Sequence, residues 1–183
     1  MSDTPTLPTE RLTLVPFSER HLSARYVGWL NDPEVVRYSE QRHRKHTMET
    51  CRQYFDSLSD TPSHFWAIEA KDADLGHIGN ITATVDTNNE VADVAIILGE
   101  SAAWDKGYGT EAWAEVCRYL LQDTGMRKVS AGTMACNDGM LAIMRKTGMA
   151  EECRRPRQFL LDGEEIDVVY VALYRDPAAD GAL

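Results

Sequence analysis

The chain has 183 residues, 43% hydrophobic and 26% charged, which favours one domain with a sizeable core. Its 19 basic and 29 acidic residues leave a formal net charge of −10. That argues against general nucleic-acid binding, because phosphate repulsion would act everywhere outside a local basic patch.

No apolar run approaches the roughly 20 residues of a membrane helix. The opening MSDTPTLPTE lacks the basic-then-apolar layout of a secretion signal, so the expected location is the cytoplasm. Cys51, Cys117, Cys136 and Cys153 form no C-x-x-C pair and read as reduced thiols.

Leu12 and Leu14 alternate with polar neighbours over 10–17, a strand ended by Pro16. Ser18 can cap a helix over 19–30 with Leu22, Tyr26, Trp29 and Leu30 on one face. Asn31-Asp32-Pro33 stops it, and Pro33 suits the first turn of a short helix over 33–40. Arg42-His43-Arg44-Lys45-His46 is a basic knot in an acidic chain, either a solvated loop or a cradle for an anionic substrate. His43 and His46 lack a third ligand at suitable spacing, so no metal is expected. Thr47 caps a helix with Met48, Cys51, Tyr54, Phe55 and Leu58 on its inner stripe.

From His64 the period changes to two. HFWAIEA, a turn over 71–74, GHIGNITATVD, a turn at Asn88-Asn89 and VADVAIIL form an antiparallel meander. The stretch WDKGYGTEA follows at 104–112, and then Ala112, Val116, Cys117, Leu120 and Leu121 recur at helical spacing. Gly107 and Gly109 therefore sit where a strand hands over to a helix. There, consecutive backbone N–H groups and the positive helix end can address an anion. The same G-x-G also serves as a helix-initiating turn capped by Thr110, and these residues alone leave the two readings level.

Gly125 ends the long helix, and KVSAGT is a strand. Asn137 or Asp138 caps a helix through Lys146 that Gly148 ends. Strands over 151–161 and 166–173 flank a turn at 162–164, and 176–183 reads as a disordered tail beyond a single domain over 1–175. Seven strands with both antiparallel and crossover connections make an α+β fold with a mixed sheet.

The stretch ILGESAAWDKGYGTEA resembles the acetyl-CoA signature of the GNAT (general-control-related N-acetyltransferase) superfamily, in the branch with ribosomal-protein N-terminal acetyltransferases. RLTLVPF, LNDPEVVRY and NDGMLAIMRKTGM resemble that branch's opening strand, post-helix element and later helix, in order from Arg11 to Tyr174. HIGNITATVDTNNEVADVAIILGE with LNDPEVVRYSEQR is most similar to acetyltransferases of nucleotide-linked amino sugars, such as those of the pseudaminic-acid pathway.

The resemblance implies a mostly antiparallel sheet, flanked by helices, that splays between its central strands, with acetyl-CoA as co-substrate. It places pyrophosphate on the backbone of Lys106, Gly107, Tyr108, Gly109 and Thr110, and pantetheine on Leu98, Gly99 and Asn137. Met144 and Lys146 are further contacts in this reading. An N–H of the splayed strand would stabilise the thioester oxyanion, worth about 3 kcal/mol.

Asp93 stands where related enzymes often have Glu. It is the first candidate for the amine proton, through a bridging water, although its reference pKa of about 3.9 makes it a weak base unless partly buried. An exposed strand carboxylate is the equal alternative. Glu100 ranks second and His77 third, with a loop carboxylate and a structural histidine as their plainer readings.

Met140 departs from the family's frequent serine, and no Tyr lies between Asn137 and Gly148. Either another hydroxyl serves as general acid, or the thiolate leaves unassisted, its pKa being roughly 8.5. Asn31, Arg37, Tyr38, Glu40 and Arg42 lie in the segment that walls the acceptor side in the family. An Arg37/Arg42 pair suits a nucleotide diphosphate, with surface salt bridges as the alternative.

The activity expected is acetyl transfer to a small-molecule amine, preferably a nucleotide-linked amino sugar. Acetylation of a protein N-terminus or polyamine is the second reading, and a non-catalytic acyl-CoA-binding module the third. The resemblance admits a homodimer, but no stretch identifies an interface.

Overall fold

Alternation along the strands assigns each large side chain to one of two cores. In the computed structural model, which describes residues 4–176, β1 (Leu7–Pro8), β2 (Leu12–Pro16), β3 (His64–Ala70), β4 (His77–Asp86) and β5 (Val91–Leu98) form an antiparallel run. β6 (Lys128–Met134) joins β5 in parallel, and β7 (Ala150–Leu161) and β8 (Glu164–Tyr174) close the sheet in the order β1-β2-β3-β4-β5-β6-β8-β7.

Trp66 and Ile68 of β3 face the larger core, with Tyr108, Ala112, Trp113, Val116 and Cys117 of α3 (Tyr108–Arg118) and Met144 of α4 (Asp138–Lys146). Phe65 and Ala67 face the smaller core, with Tyr26, Trp29 and Leu30 of α1 (Ala24–Leu30) and Cys51 of α2 (Met48–Ser57). The period of two in HFWAIEA is this division between two helical layers. No helix among the described residues is long and apolar enough to cross a membrane.

The α+β mixed sheet matches the expectation, with eight strands rather than seven. The extra strand, Leu7–Pro8, pairs with Leu14 and Thr13 and is too short to show a period. The helix expected over 19–30 is interrupted. A 3₁₀ turn over Glu19–His21 comes first, and Ser23 then recaps α1 by accepting the Tyr26 N–H. The cause is His21, whose Nδ1 accepts the Ser18 N–H at 2.9 Å while its Nε2 lies 3.1 Å from Glu69. Residues 33–39 form turns, followed by a 3₁₀ segment over Glu40–His43. The long helix ends at Arg118, then one π turn over Tyr119–Asp123 leads to Gly125 at φ 73°. All but one residue of the expected tail lies outside the described residues.

Three imidazoles sit inside this frame. His21 and His64 are 3% and 8% exposed, and His77 packs against the rings of Trp29 and His21. Burial is the leading cause that pushes all three pKa values below the usual 6.5. The unfolded chain therefore binds more protons than the folded one as pH falls below that value. Their stabilisation is complete above about pH 6.5 and is lost as pH drops through the folded-state values. The melting temperature should accordingly fall between pH 7.5 and pH 5. An identical value at both would show that these imidazoles do not oppose acid.

Candidate active site

β5 and β6 pair at only three positions, ending with Asp93 opposite Ser130. Beyond that rung β6 continues along β8, whereas Val94 to Leu98 stay paired with β4 alone, so the sheet opens into a fork. The Gly99 N–H donates to the Ile78 carbonyl at 3.0 Å, which sets the phase of the antiparallel ladder. Alternation then directs Ile97 and Ala95 toward β4, and the N–H groups of Ile96 and Leu98 into the fork. Such donors in a dry cleft are suited to an acyl oxygen or an amide carbonyl.

The fork refines the pantetheine expectation. The Gly99 amide is engaged by Ile78, and the Leu98 carbonyl accepts from the Trp104 indole at 2.9 Å. Gly99 is a packing glycine, since a Cβ there would lie 1.9 Å from Trp29 Cδ2. The donors left for a ligand are therefore the N–H groups of Ile96 and Leu98, with Ile96 in place of Gly99.

Gly107 at φ 81° is the N-cap of α3, a position expected for Thr110 in the helix-start reading. The first helical bond runs from Glu111 N–H to Gly107 O, so the N–H groups of Tyr108, Gly109 and Thr110 have no acceptor within the helix. A Cβ on Gly109 would meet Ile143 Cδ1 at 2.9 Å and Leu98 Cδ1 at 3.0 Å. The two glycines thus have different reasons: one needs a left-handed backbone, the other close packing beside the fork.

A clamp absent from the expectations holds this turn. Glu111 accepts from Thr9 Oγ1 at 2.6 Å and from the Arg11 backbone N–H and Nε at 2.7 Å each. Arg11 Nη1 donates to the Lys106 carbonyl at 2.8 Å, and its guanidinium lies 4.7 Å from the Tyr108 ring centroid. Burial pushes the Glu111 carboxyl up, but the hydrogen bonds from Thr9 and Arg11 outweigh it and hold its pKa below the usual range. An acidic residue in the first helical turn is the sole local trace of this clamp. Its partners are about a hundred positions away.

Turn and fork open into one cleft of about 1330 Å³, lined by Asp93, Ile96, Leu98, Thr110, Asn137, Lys146 and Tyr170 among others. Asn137 caps α4 by accepting the Met140 N–H at 3.2 Å and donates to Thr133 Oγ1 at 3.1 Å. Met144 is 1% exposed and belongs mainly to the core behind the cleft. Asp93 is open to the cleft and accepts from Ser130 Oγ at 3.0 Å. The protein around it raises its pKa, burial outweighing the opposing Ser130 hydrogen bond.

The other two candidate bases are engaged elsewhere. Glu100 pairs with Arg25 and accepts the Ala102 N–H, and the Arg25 hydrogen bond holds its pKa down. His77 lies behind the cleft, its Nε2 3.0 Å from both Gly79 O and Asn80 Oδ1.

Of the expected acceptor-side residues, Tyr38 and Glu40 line the cleft. Asn31 staples α1 to the basic knot, donating to the Val27 and His46 carbonyls and accepting the His46 N–H. Arg37 pairs with Asp162, and Arg42 donates to Ser39 O and Leu160 O while pairing with Glu40. Arg37 and Arg42 thus fasten the 3₁₀ segment to the β7–β8 hairpin. Arg44 and Lys45, which line the cleft and carry no ion pair among the described residues, take over the cationic rim.

A model of the acetyltransferase (GNAT) domain matches residues 11–150. No curated protein matches the chain. Among solved structures, it is similar to a spermidine N-acetyltransferase from Vibrio cholerae in complex with CoA and spermine. The identity is 16%, with 90% of this chain and 96% of that one covered at a TM-score of 0.79. It is also similar to a ribosomal-protein-S5-alanine acetyltransferase from Vibrio fischeri, at 13% identity, 94% and 98% coverage and a TM-score of 0.80. A ribosomal L7/L12 alpha-N-protein acetyltransferase in complex with coenzyme A gives 15%, 94%, 99% and 0.82 in the same measures.

Replacing Gly107 by Val imposes a left-handed backbone on a β-branched residue, and should weaken CoA binding roughly tenfold or more with the far-UV spectrum retained. Calorimetric titration with CoA checks it; unchanged affinity would remove the turn from the site. Glu111→Ala should destabilise the protein by about 2 kcal/mol in urea unfolding, and a negligible change would show that the clamp is not structural.

Proposed function

The chain belongs to the GNAT acetyltransferase family, and on that premise we propose that it moves the acetyl group of acetyl-CoA to the primary amine of a small molecule, preferably an amino sugar carried on a nucleotide. The observation that carries this reading is the position of Asp93. It stands at the last rung before the fork, on the side where an amine can meet an acyl group held by the Ile96 and Leu98 N–H groups.

The residues present fit the donor. The N–H groups of Tyr108, Gly109 and Thr110 receive pyrophosphate, and Gly107 leaves the approach clear. Lys146 adds positive charge at the cleft wall. Bound there, acetyl-CoA supplies the activated acyl group. The Ile96 and Leu98 N–H groups orient its carbonyl and stabilise negative charge on the oxygen.

Asp93 accepts the proton the amine must lose, directly or through a water. Its carboxylate is open to the cleft, and the surrounding protein raises its pKa, which makes it a better base than a freely solvated aspartate. The bond from nitrogen to acyl carbon forms as the carbon–sulfur bond breaks. The thiolate, with a pKa of roughly 8.5, leaves without a dedicated acid at Met140 or on α4.

On the acceptor side, Arg44 and Lys45 form a cationic rim in a chain whose net charge is −10. A diphosphate attached to an amino sugar would lie there, whereas a polycation would be repelled locally. Acetylation of a protein N-terminus or polyamine is the second reading. It rests on the overall negative charge.

Turnover of acetyl-CoA, read as free thiol, should be fastest with a nucleotide-linked amino sugar, slower with N-terminal peptides and slowest with spermidine. Release with peptides or spermidine alone would overturn the sugar reading, and CoA binding with no turnover on any acceptor would overturn the enzyme's proposed chemistry. Asp93→Asn should lower kcat roughly a hundredfold and abolish the fall of kcat/KM at low pH. That fall arises because protonated Asp93 cannot accept a proton. A retained acid limb would move the base elsewhere.

A further inference from the structure

Two buried side-chain nitrogens among the described residues have no hydrogen-bond partner, Asn80 Nδ2 and His46 Nε2, and both residues line the cleft. An unsatisfied buried polar atom is costly to keep, so two in one cleft mark a place completed by a ligand.

Asn80 is the sharper of the two. It is 5% exposed, sits opposite Ile97 in the β4–β5 ladder, and shares the cleft with Asp93. Its neighbour His77 reaches it because β4 bulges. Ile68 pairs with Gly79 but Glu69 pairs with His77, so Ile78 is extra and His77 comes onto the Asn80 face.

The orientation of the carboxamide follows from its partner. His77 Nε2 is 3.0 Å from the Gly79 carbonyl, which can only accept, so Nε2 carries the proton. The Asn80 atom 3.0 Å from the same nitrogen must also accept and is therefore Oδ1. The unpartnered atom is then the NH₂ group, a buried donor with no acceptor opposite it, on a residue that lines the cleft. The backbone groups of Asn80 and its partner Ile97 do not supply one, since they already pair with each other.

We propose that Asn80, held by His77, is a substrate-selecting donor that binds an oxygen (hydroxyl, carbonyl or carboxylate) of the acetyl acceptor. This rests on the acceptor reading above and deepens it: the substrate is an oxygen-bearing amine, which an amino sugar is and a polyamine is not. A site built to donate one buried hydrogen bond discriminates strongly against an analogue that lacks the acceptor, because the donor is then left unpaired. His46 Nε2, the other unpartnered nitrogen of the cleft lining, would take a second polar group of the same ligand.

The test uses the full chain with acetyl-CoA and three probes: a nucleotide-linked amino sugar, glucosamine and spermidine. Asn80→Leu keeps the side-chain volume and removes the donor. KM for the better sugar probe should rise roughly tenfold or more with KM for acetyl-CoA unchanged. Asn80→Asp, which presents an acceptor in place of the donor, should do the same.

The side-chain NH₂ resonances of Asn80, assigned by through-bond correlation in the unsubstituted protein, should move when a sugar probe is added and stay in place with spermidine. This second readout holds even where a variant loses stability. Sugar turnover with unmoved resonances and an unchanged KM in both variants would overturn the Asn80 assignment while leaving the proposed function intact. Turnover or resonance shifts with spermidine alone would overturn both.

Discussion

A single rung of hydrogen bonding decides where this molecule can do chemistry. After Asp93 and Ser130, strand β5 keeps its antiparallel partner and β6 keeps its own, so they part company. Backbone donors in the middle of a sheet are normally satisfied by the next strand. Here the separation leaves them aimed at a cavity, and the unmet hydrogen-bonding capacity becomes binding capacity. The glycine turn, α3 and α4 are arranged around that opening. Gly109 lies against Leu98 at the fork and Ile143 of α4, which couples the anion turn to the fork through direct packing.

The cleft divides its two tasks between different kinds of group. Under the proposed function, donor binding rests largely on backbone N–H groups at Tyr108 to Thr110 and at Ile96 and Leu98, held by Glu111, Arg11 and Trp29 from behind. The proposed acceptor side is lined by side chains: Asp93, Asn80, His46, Arg44 and Lys45. Backbone geometry is insensitive to many substitutions, while a wall of side chains changes with each one. The structural neighbours named above share the fold at 13–16% identity while their names refer to different acceptors.

The sequence made the fold legible where periodicity ran long enough to be read. The meander, the caps at Thr47 and Asn137 and the stops at Gly125 and Gly148 emerge where expected. Leu7–Pro8 was too short to register, and the break in the first helix depends on His21 meeting Glu69, forty-eight residues away. At the site, Gly107 and Gly109 announced themselves because their spacing is local. Arg42 did not reveal its role: a positive charge near a substrate wall looks the same in sequence whether it faces solvent or fastens Leu160. Asn80 passed unnoticed because its meaning lies in an absence of partners and in a bulge that only pairing exposes.

The fastening by Arg42 has a consequence for how such an enzyme can change. The Arg42 guanidinium ties the Ser39 carbonyl on one side of the proposed acceptor wall to the Leu160 carbonyl on the hairpin, which lies 118 residues beyond Arg42 in the chain. The two stretches therefore behave as one inheritable unit despite their distance in sequence. Transplanting the 38–46 segment into a relative without its matching hairpin would leave this half-buried cation facing strangers. Exchanging both together would carry the acceptor wall across whole, and acceptor preference with it.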